Sequence, residues 1–151
     1  MTYGYRVVIA GSVEQALPRV RQALKDQGFG VLTEIDVRET LHDRLGEEME
    51  DYVILGACNP PLAHRALGID RSVGLLLPCN VVVRAAGADG TGGEHNAPAE
   101  PHTVVEALDP HVMVTIAAQP QLKAVAEDAA SRLETALAAL AALPRGSVSS
   151  S

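Results

Sequence analysis

Residues 55–67 read LGACNPPLAHRAL and residues 75–83 read LLLPCNVVV. The two stretches hold both cysteines of the chain, Cys58 and Cys79, and an asparagine follows each, Asn59 and Asn80. An apolar run leads into the first pair and another leads out of the second. Both pairs therefore fall at strand ends, where side chains and free backbone groups can meet a ligand. Tyr52 to Ala57 is the first of these strands. Asn59 is a good N-cap with Pro60 at the first helical position, and the helix it opens carries Leu62, Ala63, Ala66 and Leu67 until Gly68 stops it. His64 sits on the first turns of that helix. Asp70 to Gly74 reads as a turn. Pro78 lacks the N–H that a paired strand needs, so the second strand runs from Cys79 to Ala86.

Downstream, residues 87–101 break the composition with glycine and proline and read as a long mobile hairpin loop. Thr103 to Leu108 then returns as a strand. Asp109 and Pro110 repeat the cap-and-proline pattern and open a short helix over Val112, Met113 and Ile116. After Pro120, Leu122, Val125, Ala129, Leu133, Leu137 and Leu140 trace one face of an alanine-rich helix over 121–143. Its length suits packing across a sheet, against a partner subunit, or both. Residues 144–151 read as a disordered tail.

Upstream, Tyr5 to Ala10 is a strand. Ser12 with Gln15 makes a capping box for a helix whose apolar stripe is Val13, Leu17, Val20 and Leu24, with Gly28 as its stop. Pro18 inside that stripe predicts a kink rather than a break. Phe29 to Ile35 is a strand, and Asp36 with Glu39 caps a short helix over Val37, Leu41 and Leu45 that Gly46 ends. The acids at Glu47, Glu48, Glu50 and Asp51 form a solvated connection. A helix links the first two strands and a hairpin links the last two. That mixture is α+β: one domain over 1–143, with a single, mostly antiparallel sheet and helices packed on one face.

Composition narrows the function classes. Apolar residues make up 47% of the 151 and aromatics 3%, so the core is aliphatic and no aromatic platform for single-stranded nucleic acid is available. Nineteen acidic against twelve basic residues give a formal charge of −7, which phosphate backbones repel; no nucleic-acid partner is expected. No apolar run is long enough to span a membrane, and the N-terminus shows no signal peptide. Two cysteines are too few for a disulfide scaffold, so reduced thiols and a cytoplasmic location are expected.

At the Cys-Asn segments the chain resembles the DUF302 proteins. The resemblance rests on Gly30-Val-Leu-Thr-Glu-Ile-Asp-Val37, on Gly56-Ala-Cys-Asn-Pro60 with Ala63, Ala66 and Leu67, on Gly74-Leu-Leu-Leu-Pro-Cys-Asn-Val81, and on Asp109-Pro110. Together these cover residues 5–118. The resemblance implies a helix-backed antiparallel sheet, similar to the TATA-binding-protein-like arrangement, and often a homodimer. It implies no established activity. Pro18, the 87–101 loop and the long C-terminal helix depart from the family's pattern.

The candidate site is Cys58, Asn59, His64, Cys79 and Asn80. Two thiolates and an imidazole from Cys58, His64 and Cys79 would suit zinc or copper, although C-x5-H-x14-C is not a standard finger spacing. Cys58 precedes a helix N-terminus, which favours thiolate, and the cysteine pair is a candidate for thiol chemistry. The amides of Asn59 and Asn80, with backbone N–H groups at the start of the Pro60 helix, would suit a small anionic or thiol ligand. Cysteines can also be plain core residues. The reading preferred is binding or handling of a small ligand with thiol participation by a homodimer. Metal binding is the alternative, and a dimeric interaction domain with structural cysteines the third. No reaction, substrate or cofactor is legible.

Overall fold

The computed structural model describes residues 3–87 and 100–142. Twelve segments of regular structure alternate along it, and local chemistry sets most of their ends. Strand β1 (Gly4–Ala10) leads to helix α1 (Val13–Asp26) through Ser12. The Gln15 N–H donates to Ser12 Oγ at 3.1 Å and the Ser12 N–H to Gln15 Oε1 at 3.0 Å, the reciprocal capping box the sequence predicts. α1 runs unbroken through Pro18. Its end is fixed by Gly28, at φ +89°: the Gly28 N–H donates to Lys25 O and the Phe29 N–H to Leu24 O, both at 2.9 Å. This closure delivers Phe29, fully buried, to the interior.

Strand β2 (Gly30–Asp36) and helix α2 (Val37–Leu45) follow, with Asp36 Oδ1 accepting the Glu39 N–H and Gly46 left-handed at the end. α2 buries none of its residues, so its Val37, Leu41 and Leu45 stripe does not reach the core. Next come strand β3 (Tyr52–Cys58) and helix α3 (Pro60–Ile69). α3 continues one residue past Gly68, the predicted stop, and the predicted turn is a 3₁₀ helix over Arg71–Leu76 that Asp70 caps. Strands β4 (Cys79–Ala85) and β5 (His102–Leu108), helix α4 (His111–Ala117), a 3₁₀ turn and helix α5 (Lys123–Ala142) complete the chain. Residues 88–99 of the predicted hairpin loop, and the predicted tail at 144–151, lie outside the described residues.

The five strands form one sheet in the order β1-β5-β4-β3-β2, antiparallel at every pairing. β4 and β5 are neighbours, as the hairpin reading requires. β1 and β2 are consecutive in sequence yet lie on opposite edges, because α1 carries the chain beneath the whole sheet. α1 and α5 pack on one face, so the architecture is α+β. The main core lies between that face (Val53, Leu55, Val81, Val83, Val105, Ala107) and the helices (Val20, Leu24, Leu133, Leu137). A second cluster gathers Leu62, Ala66, Val73, Met113, Leu122, Val125 and Ala129 from α3, α4 and the start of α5. Among the described residues no helix is long and apolar enough to cross a membrane.

Candidate functional site

β3 delivers Cys58 to the end of the sheet, and Asn59 turns the chain into α3. Asn59 Oδ1 accepts the Leu62 N–H at 3.3 Å, and the Ala63 N–H donates to Asn59 O at 2.9 Å. Pro60 and Pro61 carry no N–H, so every donor of the first turn is missing or engaged. The anion site expected at this helix start therefore has no donors to make it. The other end of the Asn59 amide is used as well. Its Nδ2 donates to the Gln27 carbonyl at 3.4 Å, and Arg132 Nη1 donates to the same oxygen at 3.2 Å. A Cβ on Gly28 would stand 2.9 Å from Asn59 Nδ2, a second reason for glycine there. Asn59 is a buried strut between α1 and α3.

After α3 and the 3₁₀ turn the chain comes back beside its starting point: Cys79 pairs with Ala57 across β3 and β4. The two cysteines thus meet at one end of the sheet, 21 positions apart in sequence. The approach is close here, because a Cβ on Gly56 would run into the Thr33 hydroxyl and lie 2.8 Å from Pro78 Cγ. Between these strand ends and α3, α4 and α5 lies a cavity of about 40 Å³. Cys58, Asn59 and Cys79 line it with Phe29, Ala57, Leu62, Ala66, Met113, Val125 and Ala129. It occupies the seam between the two hydrophobic clusters, and apart from Asn59 and the two thiols its lining is wholly apolar. Cys58 is half-buried and Cys79 buried. Burial, with a smaller contribution from Cys58 nearby, pushes the Cys79 thiol up to about 11, so it is neutral at physiological pH.

Two predicted members are not in this pocket. Leu62, Ala63 and Ala66 are the α3 residues that line it, and His64 is exposed elsewhere on the helix surface. Cys58, His64 and Cys79 therefore do not converge. Among the described residues no group of three or more His, Cys, Asp or Glu side chains could hold a metal ion. Asn80 is turned away by strand alternation: Val81 faces the core, and Asn80 lines a groove of about 250 Å³ on the opposite sheet face with Tyr3, Tyr52, Val82 and Leu108.

Sequence reasoning passed over the helical walls of the pocket: Met113 on α4, Val125 and Ala129 on α5, and Phe29. The Asp109-Pro110 pair was a usable signal. Asp109 Oδ1 accepts the His111 N–H at 2.9 Å and meets His111 Nδ1 at 2.8 Å, fixing the turn that sets Pro110 and Met113 against the cavity. Burial works to raise the Asp109 carboxyl, but hydrogen bonds from the His111 backbone and ring and from Tyr5 outweigh it and hold it below its ordinary value. Burial and that same bond push Tyr5 up to about 12.

No curated protein matches the chain. A crystal structure of an uncharacterized conserved DUF302 protein from Bacillus stearothermophilus is similar to it with a TM-score of 0.77 and 28% identity, over 93% of this chain and 99% of that one. The sequence model of the family described as Domain of unknown function DUF302 matches residues 5–140, a span that takes in all of the sheet but Gly4, both Cys-Asn segments and nearly all of α5. By that match the chain belongs to the DUF302 family.

Proposed function

We propose that the chain, working as a homodimer in a reducing cytoplasmic setting, binds a small apolar or thiol-bearing ligand in the cavity between Cys58 and Cys79. The observation that carries this reading is one cavity lined by both thiols and otherwise almost entirely by apolar groups. Its size limits the occupant. A dry cavity of about 150 Å³ holds benzene; one of about 40 Å³ admits no ring and suits a short alkyl or sulfur-bearing group, alone or as the end of a longer molecule. Sulfur and methyl groups would meet soft, polarizable neighbours in Met113 and the two thiols. Cys58 is the thiol such a ligand would meet, since Cys79 is buried and held neutral. The pocket lining offers no carboxylate, imidazole or amine, which favours binding over proton-transfer chemistry.

Met113 is one of three methionines, with Met1 and Met49, and among the described residues it is the one that lines the cavity, so its methyl group reports on occupancy. The test is a titration of methyl-labelled protein with propanethiol and dimethyl sulfide, followed by NMR. The Met113 signal should move saturably while those of Met1 and Met49 stay still, and Ala66→Leu, which fills the cavity, should abolish the response. A Met113 signal that never moves, with both thiols inert to small alkylating agents until the chain unfolds, would leave the cysteines as core residues and end the proposal.

A further inference from the structure

Cys58 ends one strand and Cys79 begins the next, with α3 and the 3₁₀ helix as the excursion between them. Cys79 stands opposite Ala57, the residue before Cys58. At about 4.8 Å between strands and about 3.3 Å along one, that diagonal sets the two Cα atoms roughly 6 Å apart. A disulfide bridges Cα separations of about 4.4–6.8 Å, so the spacing is that of a pair able to close. The side chains must also share a space. Strict alternation would turn Cys58 away from the face of Cys79, but β3 ends at Cys58 and both side chains line the one cavity. Both are free thiols, and they differ in access: Cys58 is half-buried, whereas Cys79 is 7% exposed. The chain has no third cysteine, so within it each has only the other as a partner. One thiol can be met from outside and the other can finish a reaction within, the asymmetry that a two-step exchange requires.

We infer that the cysteine pair reduces small aliphatic disulfides and closes a Cys58–Cys79 disulfide as it does so. Cys58 gives its proton to water, and its sulfur attacks one sulfur of the small disulfide. That S–S bond breaks, the first alkylthiolate leaves and takes up a proton, and Cys58 is held in a mixed disulfide. Cys79 then attacks the Cys58 sulfur, and its proton leaves with the second alkylthiol. The chain has given up two electrons and two protons, and one small disulfide has become two thiols. Protons pass only to water and to the departing sulfur, so the absence of a carboxylate, imidazole or amine from the lining is no obstacle. A cavity of about 40 Å³ takes a short alkylthio group, which sets the substrate class. The product bond is neutral and apolar, so it suits a lining that holds the Cys79 thiol protonated. Held so, Cys79 attacks slowly, and the mixed disulfide should accumulate before it closes. The exchange goes beyond binding: it uses the same cavity but depends on the spacing of the two sulfurs, not on affinity for an unreactive ligand.

The test mixes the reduced full chain with dimethyl disulfide, quenches samples with an alkylating agent, and reads intact mass and released methanethiol. The wild type should pass through a mixed disulfide to a chain with no thiol left to alkylate, releasing two thiols per chain. Cys79→Ala should stop at the mixed disulfide with one thiol released, and Cys58→Ser should release none. If circular dichroism shows a variant unfolded, the wild type decides alone, by a peptide pair joined through Cys58 and Cys79. A wild type that stops at the mixed disulfide, that couples chain to chain, or that reacts only once unfolded overturns the inference. Dimethyl sulfide cannot exchange, so the Met113 titration reads binding separately. Exchange without a Met113 response leaves this inference standing and ends the binding reading; a Met113 response without exchange does the reverse.

Discussion

Replacing Asn59 with alanine separates its role as a strut from any role as a ligand donor. The change removes the oxygen that takes the Leu62 N–H at 3.3 Å and the nitrogen that reaches the Gln27 carbonyl at 3.4 Å. Losing an N-cap ordinarily costs about 1 kcal/mol, with water taking over the freed N–H. Asn59 is 8% exposed and Leu62 is 6% exposed, so water has poor access here and the relevant cost is that of an orphaned buried donor, about 1–3 kcal/mol. The Gln27 carbonyl keeps its bond from Arg132 and adds little. The expected loss is about 2 kcal/mol, or a fall of roughly 4–8 °C in Tm for a chain of this size. Asn59→Ser keeps a capping oxygen and should lose about half as much. Urea unfolding followed by circular dichroism measures both, with unchanged slope as the sign that the native state alone is affected. An alanine variant within about 0.5 kcal/mol of wild type refutes the reasoning. The same stability with lost ligand binding would return Asn59 to the role of ligand donor.

Two further outcomes follow from the titrating groups. Folded Cys79 keeps its proton to about pH 11 while an ordinary thiol releases it near 9.0, so between those values the unfolded chain binds fewer protons and stability falls as pH rises. Urea midpoints should drop across pH 9–11 and drop less in Cys79→Ala; equal slopes in the two proteins would contradict a buried neutral thiol. Burial works to raise the Glu106 carboxyl, but Arg84 and Arg6 hold it below its ordinary value, so its contribution is present above the usual glutamate range and lost as pH falls through the folded value. The Arg84 side chain is 7% exposed and that of Arg6 is 38% exposed. Glu106→Gln, which removes the carboxylate that both guanidiniums share, should cost about 2 kcal/mol, the worth of hydrogen bonds to a charged group, whereas Arg6→Gln, at an exposed pair, should cost under about 1 kcal/mol. Equal losses in the urea midpoint would place the two guanidiniums in the same environment and refute the distinction.

Capping chemistry is local, and it was the most legible part of the chain. Ser12 with Gln15, Asp36 with Glu39, and Asn59 with Pro60 each bound a helix as read from a few letters. Sheet order was not legible, because nothing near β1 or β2 reports that α1 sends them to opposite edges. α2 carries an apolar stripe by spacing yet buries none of it, since spacing describes a face and not what the face meets. At the site, both Cys-Asn pairs were visible as strand boundaries, but their adjacency depends on the Ala57–Cys79 register, a long-range fact. Two features were readable and set aside: consecutive prolines remove the donors an anion would need at α3, and strand alternation must turn Asn80 away from Val81.

The two Cys-Asn pairs look like one device used twice, but the chain around each gives them different work. The first pair ends a strand and enters a helix, so the backbone leaves the period of two and both Cys58 and Asn59 line the cavity. The second pair begins a strand, where the period holds: Cys79 lines the cavity and Asn80 the groove on the far face. Neighbours in sequence thus report on opposite sides of the sheet. Cys79→Ala acts on the cavity and its titration, and Asn80→Glu acts on the open face, with no shared contact through which either effect need reach the other. If the double variant shows the two losses of stability simply added, the cavity side and the groove side of the sheet are energetically independent at β4. A large departure from additivity would mean that a change in the cavity is felt in the groove through β4, the strand both residues share.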